Sequence, residues 1–185
     1  MKQREVANEI PKLRVKSEAK ENAKQNTKLK VREMTETAMF AALLAVLGML
    51  KLPSVIPGCE FQLSAPFAVC VAACFGFKRY IQIGVLASAV NLLTGTHSIV
   101  NVTISMIFRI VAGGILAVFG VHPITIAISG PVGTAAGRLV LGGITGTNPL
   151  ALIAAALPGM AFTAVGAAVM YPVMKRLTRR EPGFS

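Results

Sequence analysis

The sequence predicts an all-α membrane protein: a bundle of six transmembrane helices with the N- and C-termini in the cytoplasm. Two compositional observations predict the membrane. Of the 185 residues, 54% are hydrophobic and only 15% are charged, whereas charged residues make up about 25% of an ordinary soluble domain. The third observation is that Glu60 and Glu181 are the only acidic residues after position 36, so long stretches of the chain can lie in lipid.

Six apolar segments follow the basic N-terminal region, and each ends at residues that interrupt a membrane helix. The first three predicted helices are 37–50, which ends before Lys51 and Pro53, 61–77, which ends before Lys78 and Arg79, and 80–93, which ends before the polar stretch 94–98. The last three are 99–120, which ends before His122 and Pro123, 124–141, which ends before the turn-rich stretch 142–149, and 150–174, which ends before the basic stretch 175–180. The predicted domains are a basic cytoplasmic tail over 1–34, a transmembrane domain over 35–176 and a short basic cytoplasmic tail over 177–185.

The distribution of Lys and Arg gives the bundle an orientation, because cytoplasmic loops carry an excess of these residues. With the basic N-terminal tail inside, Lys78 and Arg79 fall in an inner loop, and the basic C-terminal residues fall inside as well. Lys51 is the only Lys or Arg in the predicted outer loops. An odd number of helices would place one basic end outside. The sequence therefore predicts a multi-pass protein of the cell membrane with both ends cytoplasmic.

Residues that could carry chemistry are sparse and predict a protein that is not an enzyme and holds no metal or cofactor. The chain has no Asp, and its apolar segments offer no pair of carboxylates for acid/base catalysis. Cys70 and Cys74 lie one helical turn apart, but neither His nor acid accompanies them as a metal ligand. The basic tail lacks aromatic residues that would stack on bases. We expect it to contact membrane lipids and not nucleic acid.

Polar side chains gather at the outer ends of the predicted helices, at one level of the membrane. Contact with water explains the loop residues but explains less well those at or inside helix ends. Together they predict a pocket that opens outward and offers hydrogen bonds and one cation. The predicted substrate-binding residues are Gln62, Asn91, His97, Asn101, Arg138 and Asn148.

Two arginines fall within predicted helices. Arg138 lies about one turn from the outer end of its helix, so its side chain could instead extend to the membrane surface. Arg109 lies about ten residues into its helix and therefore near the membrane midplane. A cation at that depth faces a cavity or a partner, or it caps backbone carbonyls at a helix break. The sequence leaves both alternatives open for Arg109.

Small residues four apart let another helix approach closely. Gly133 and Gly137 form such a pair, which internal packing explains. In the first predicted helix the pairs are Ala38/Ala42 and Ala41/Ala45. The stretch 35–45 that contains them resembles the opening of the substrate-binding (S) components of energy-coupling factor transporters, which are small vitamin-uptake membrane proteins of prokaryotes. Pro57-Gly58, Pro66 and the Asn-containing loop before the fourth helix also resemble this family, and the likeness covers about 34–180.

The resemblance implies a protein that captures a vitamin-like solute from outside and delivers it with a transmembrane coupling subunit and two ATPase subunits. By this likeness Ala38, Ala41, Ala42 and Ala45 would contact the coupling subunit, and the predicted pocket residues would contact the substrate. The cation in the pocket favours an anionic vitamin or precursor, and riboflavin-like and amino-acid-like ligands remain alternatives. The chain lacks the G-x-x-x-x-G-K-[ST] loop that holds ATP phosphates, so ATP would be hydrolysed by other subunits.

The main alternative is a stand-alone small carrier or channel that works as an oligomer without ATPases. Such carriers have discontinuous helices or ion ligands at the midplane, and only Pro131 and Pro158 hint at broken helices here. A structural or assembly factor would also suit the small-residue surfaces.

Overall fold

A computed structural model of the chain describes residues 2–52 and 61–179. Pro57, Gly58, Cys59, Glu60 and the residues from 180 onward lie outside the described residues. In chain order the elements are α1 (Lys2–Met49), β1 (Lys51–Leu52), β2 (Phe61–Gln62), α2 (Ser64–Leu93), α3 (Ile99–Phe119), α4 (Pro123–Thr145) and α5 (Pro149–Arg179). The fold is therefore helical, apart from two antiparallel strands of two residues each.

The chain divides into two compact units, Met1–Ala38 and Met39–Ser185. The first unit is the N-terminal part of α1. The sequence predicted the first membrane helix from residue 37, and α1 begins at Lys2, because Lys, Glu, Gln and Ala are abundant in this region and favour helix. Within this unit Arg32 pairs with Glu36 one turn later, with Nε and Oε1 3.0 Å apart.

The residues that the structure describes form five α-helices, whereas the sequence predicted six membrane helices, because the second and third predicted segments both belong to α2. Gly76 interrupts α2 with φ 76° and ψ 171°, a conformation that essentially only glycine adopts. A straight 30-residue helix would be about 45 Å long. Yet Gln62, before α2, and His97, after it, line the same cavity. The chain therefore reverses direction at Gly76.

The core of the second unit forms around the two halves of α2. Val69 and Val71, before the reversal, and Tyr80, after it, are fully buried. The Phe40 ring of α1 meets the Phe75 ring edge-on, with centroids 4.7 Å apart. Residue 40 of α1 therefore lies near the reversal of α2.

Gly133 and Gly137 bring α4 close to α3, as the sequence indicated. A Cβ at position 133 would lie 3.0 Å from the backbone oxygen of Phe108, and a Cβ at position 137 would lie 3.0 Å from Cγ2 of Ile104. Larger side chains at these positions would force the two helices apart.

Within residues 2–52 and 61–179, four helices are long and apolar enough to cross a membrane: α2, α3, α4 and the part of α5 up to Thr178. Their outer surfaces carry exposed apolar side chains, among them Val118 at 77% and Val165 at 65% exposure. Soluble monomers rarely expose apolar surface on this scale, whereas lipid tails cover it. The protein is a multi-pass membrane protein.

Candidate functional site: a cationic cavity

A cavity of about 520 Å³ lies in the second unit, at the end where α2 begins and ends. We call this the cavity end of the unit. Its volume is within the range of pockets that hold small molecules. Apolar side chains such as Leu44 and Phe108 form part of the wall. The polar and charged lining residues are Gln62, Ser64, His97, Asn101, Ser105, Arg109, Thr134, Arg138 and Thr163.

Of the α3 residues that line the cavity, Arg109 lies farthest from the start of the helix, at about 15 Å. It is 8% exposed. Its side chain crosses α2 at Gly84, where a Cβ would lie 2.6 Å from Nε. The guanidinium ends one turn further along α2, where Nη1 donates to Ser88 Oγ at 2.6 Å. The same nitrogen donates to Ser105 Oγ at 3.1 Å. Helices α2 and α3 thus hold this cation with hydroxyl groups.

Arg138 supplies a second cation to the cavity. The sequence placed it about one turn from the end of its helix, but α4 continues through Gly142 and Gly143 to Thr145. Arg138 therefore lies about two turns, or about 10 Å, from the helix end. Thr134, one turn earlier on α4, also lines the cavity.

Among the described residues of the second unit, no acidic residue balances these two cations. Between positions 61 and 179 the sequence has neither Asp nor Glu. A cation inside a membrane protein costs several kcal/mol, roughly, unless a partner or water stabilises it. The described lining of the cavity is therefore cationic.

The structure brings four of the six predicted pocket residues to the cavity: Gln62, His97, Asn101 and Arg138. The other two, Asn91 and Asn148, are not among the residues that line it. The Asn91 side chain is buried, and its Oδ1 has no hydrogen-bond partner among the described residues. The backbone carbonyl of Asn91 accepts hydrogen bonds from the amides of Thr96 and His97, each at 3.1 Å. It thereby folds the loop that carries His97 back over the end of α2.

Asn148 is exposed and begins α5 instead of contacting the cavity. Its Oδ1 accepts a hydrogen bond of 3.0 Å from the Leu150 amide, which is a helix N-cap. Pro149 follows as the first helical residue, a position that needs no amide proton.

Sequence reasoning missed the cavity roles of Ser105, Thr134 and Thr163 and left Arg109 undecided. The sequence did contain one signal for Ser105 and Thr134, which is their spacing from the two arginines. Ser105 lies four residues before Arg109 and Thr134 four residues before Arg138, so each arginine has a hydroxyl on its own helix face. Nothing in the sequence pointed to Thr163.

The four alanines of α1 differ in burial. Ala41 and Ala45 are 4% and 2% exposed and pack in the core of the second unit. Ala38 and Ala42 are exposed. Among these four positions, only the exposed pair is accessible to another protein in this structure.

No protein-family model matches the chain, and no solved structure matches it. A relative among characterised sequences is Protein BioX of Lysinibacillus sphaericus, which is 46% identical over 145 residues. The matched region covers 78% of this chain and 86% of the relative. This chain therefore belongs to the same protein family as Protein BioX.

Proposed function

We propose that the protein is the membrane-embedded substrate-binding component of an energy-coupling factor importer for an anionic vitamin or a related compound. The observation that carries this proposal is the cavity whose described lining has two arginines, Arg109 and Arg138, and no acidic residue. A binding protein needs such a site and no catalytic group. The vitamin-uptake family that the sequence resembles has this kind of role.

The substrate that we propose is biotin or a close relative of it. The name of the relative, Protein BioX, suggests biotin as the vitamin. Biotin carries one carboxylate on a flexible apolar side chain. A carboxylate suits an arginine in the cavity, and the apolar wall at Leu44 and Phe108 suits the rest of the molecule.

We further propose six membrane crossings: the apolar part of α1, the two halves of α2 on either side of Gly76, and α3, α4 and α5. The reversal at Gly76 supports this count, since it makes two antiparallel segments of α2. Each half is shorter than the roughly 20 residues of an ordinary crossing, so the bilayer would thin locally or the flanking residues would extend the span.

The orientation that we propose places the cavity outside. Lys78 and Arg79 follow the reversal of α2, which is far from the cavity end. Cys74 lies beside Lys175 and Thr178 of α5, so the basic C-terminal part of α5 lies at the same end as the reversal. Cytoplasmic ends are rich in Lys and Arg. Both termini would then be cytoplasmic, and the protein would lie in the cytoplasmic membrane.

Energy would come from a coupling subunit and two ATPase subunits, because this chain has no phosphate-binding loop. The exposed alanines Ala38 and Ala42 support a docking surface on α1, since small side chains allow another helix to approach closely. The buried pair, Ala41 and Ala45, would pack in the core of the second unit and would not contact the coupling subunit.

The direct test is binding of biotin to the purified full chain in lipid nanodiscs, measured by calorimetry against biotin methyl ester. We expect saturable binding of biotin and at least tenfold weaker binding of the ester, because the ester has no charge to pair with arginine. Equal affinity for the two compounds would contradict the anionic site.

A second measurement tests the energy source. The chain is reconstituted in liposomes with and without a coupling subunit and its ATPases, and uptake of labelled biotin is followed. We expect uptake only in the complete complex with ATP. Uptake by the pure protein without ATP would instead establish the stand-alone carrier.

A further inference from the structure

Arg109 presents its two edges to different surroundings. Nη1 is occupied by two hydroxyl groups, Ser88 Oγ at 2.6 Å and Ser105 Oγ at 3.1 Å. Ser105 also donates a hydrogen bond of 2.8 Å to the Val102 carbonyl, which leaves its oxygen lone pairs toward Arg109. The two hydroxyl oxygens lie 3.4 Å apart. Both N–H groups of Nη1 are thereby used by the protein.

The opposite edge of the guanidinium, formed by Nε and Nη2, has no hydrogen-bond partner among the residues that the structure describes, and Tyr80 interacts with Arg109 electrostatically. Within the same residues, the enclosed side-chain polar atoms without a partner are Tyr80 Oη and Asn91 Oδ1, and Nε and Nη2 are not among them. Arg109 lines the cavity and is 8% exposed. An Nε/Nη2 edge has the spacing that matches the two oxygens of a planar carboxylate.

We infer that the substrate carboxylate binds in bidentate fashion to the Nε/Nη2 edge of Arg109. Ser88 and Ser105 act as positioning residues, because they hold Nη1 and so fix the plane of the guanidinium before the ligand arrives. A preorganised group loses less conformational entropy on binding. This position of the guanidinium also requires Gly84, because a side chain at position 84 would occupy the space that the Arg109 side chain fills. The inference rests on the proposed function and specifies its binding site.

The first experiment uses Arg109→Lys in nanodiscs, with biotin and biotin methyl ester as the two probes. Lys keeps the positive charge but has no bidentate edge. We expect biotin affinity to fall by about tenfold to a hundredfold, while affinity for the ester stays the same. Unchanged biotin affinity would overturn the inferred bidentate contact with Arg109, but it would not contradict the proposed function.

The positioning role is tested with Ser88→Ala/Ser105→Ala and with Gly84→Ala. Each should weaken biotin binding by about tenfold or more without changing ester binding. Gly114→Ala is the matched control, because position 114 lies on α3 near Arg109 and a Cβ there would meet nothing within 4 Å. Serines with a purely structural role would weaken both probes equally, and that result would overturn the positioning.

A third measurement is independent of the identity of the substrate. Pentanoate, a simple alkyl carboxylate, is titrated into the full chain in nanodiscs, and the side-chain ¹⁵N resonances of Arg109 are followed. We expect saturable shifts at Nε and Nη2 and a nearly constant Nη1. These shifts would support the edge even if biotin itself failed to bind, in which case only the proposed substrate would fall. Shifts confined to Nη1, or none, would overturn the inference.

Discussion

The Nη1 atom of Arg109 donates a hydrogen bond of 2.6 Å to Ser88 Oγ and so joins α3 to the second half of α2. A buried arginine usually pairs with an acid, but no acid is available in this part of the chain. Two hydroxyl groups accept hydrogen bonds from Nη1. In the binding mode that we propose, helix packing and ligand recognition depend on the same side chain.

The second arginine of the cavity gives a prediction about the electrostatic attraction of the ligand. Arg138 lies nearer the cavity end than Arg109 and is only partly buried. We expect Arg138→Ala to weaken biotin binding by about tenfold and Arg138→Lys to retain most of the affinity, because a partly exposed charge acts mainly through its field. Calorimetry at low and high salt measures this, and salt should reduce the difference. An unchanged dissociation constant in Arg138→Ala would exclude this contribution.

Asn148 provides a contrast to the cavity residues. Asn148→Ala removes the N-cap of α5, and we expect a loss of about 1 kcal/mol in stability with unchanged affinity for biotin. Asn101→Ala, which removes a cavity amide, should show the opposite pattern. Thermal unfolding in detergent and calorimetry separate the two effects. Weaker biotin binding by Asn148→Ala would instead indicate that Asn148 belongs to the binding site.

Gly76 is expected to control the reversal of α2. Alanine at φ 76° and ψ 171° would be strained, at a cost of about 1–3 kcal/mol. Gly76→Ala should therefore lower the unfolding temperature. Gly114→Ala should be neutral or slightly stabilising, because it replaces a helical glycine in open space. If both variants unfold at the same temperature as the native protein, the backbone at Gly76 is not under this constraint.

The contact between α4 and α5 at Gly130 can be tested with a compensating change. A Cβ at position 130 would lie 2.5 Å from Cγ2 of Thr163, so Gly130→Ala should destabilise the protein by about 1–3 kcal/mol through overpacking. Thr163→Ser removes that methyl group and keeps the hydroxyl, which donates to the Gly159 carbonyl at 2.8 Å. The double variant should recover most of the loss in unfolding free energy. Simple additivity of the two changes would contradict this contact.

The exposed and the buried alanines of α1 predict separate defects. Ala42→Leu enlarges an exposed position and should prevent copurification with the coupling subunit while biotin binding persists. Ala45→Leu enlarges a position that is 2% exposed and should destabilise the isolated chain by about 1–3 kcal/mol. Pull-down and thermal unfolding of both variants distinguish these outcomes. Normal complex formation by Ala42→Leu would remove this position from the docking surface.

Several of the predicted helix boundaries agree closely with the structure. The start of α3 at Ile99 was predicted from the polar stretch before it, and the ends of α3 and α4 differ from their predictions by one to four residues. The join between the second and third predicted segments was not foreseen, because the basic pair Lys78-Arg79 indicated a loop whereas the interruption is a single glycine at 76.

Within the site, sequence reasoning found the residues whose polarity was unusual for their position. Gln62, Asn101 and Arg138 fall in this group and line the cavity. Asn148 has the same polarity but uses it to cap α5, and the Asn91 side chain is buried outside the cavity lining. Only the local geometry separates these outcomes.

The sequence by itself determined that this is a helical membrane protein and that its cations are not balanced by acids in the apolar region. Both follow from composition, because lipid requires each backbone group to be satisfied internally and a missing residue type cannot be supplied by folding. The tertiary structure decided which side chains meet. Apolar residues occur on every face of a membrane helix, so periodicity does not identify the inward face. The direction of Arg109 toward Ser88 and the burial of Ala41 and Ala45 therefore depend on how the helices pack.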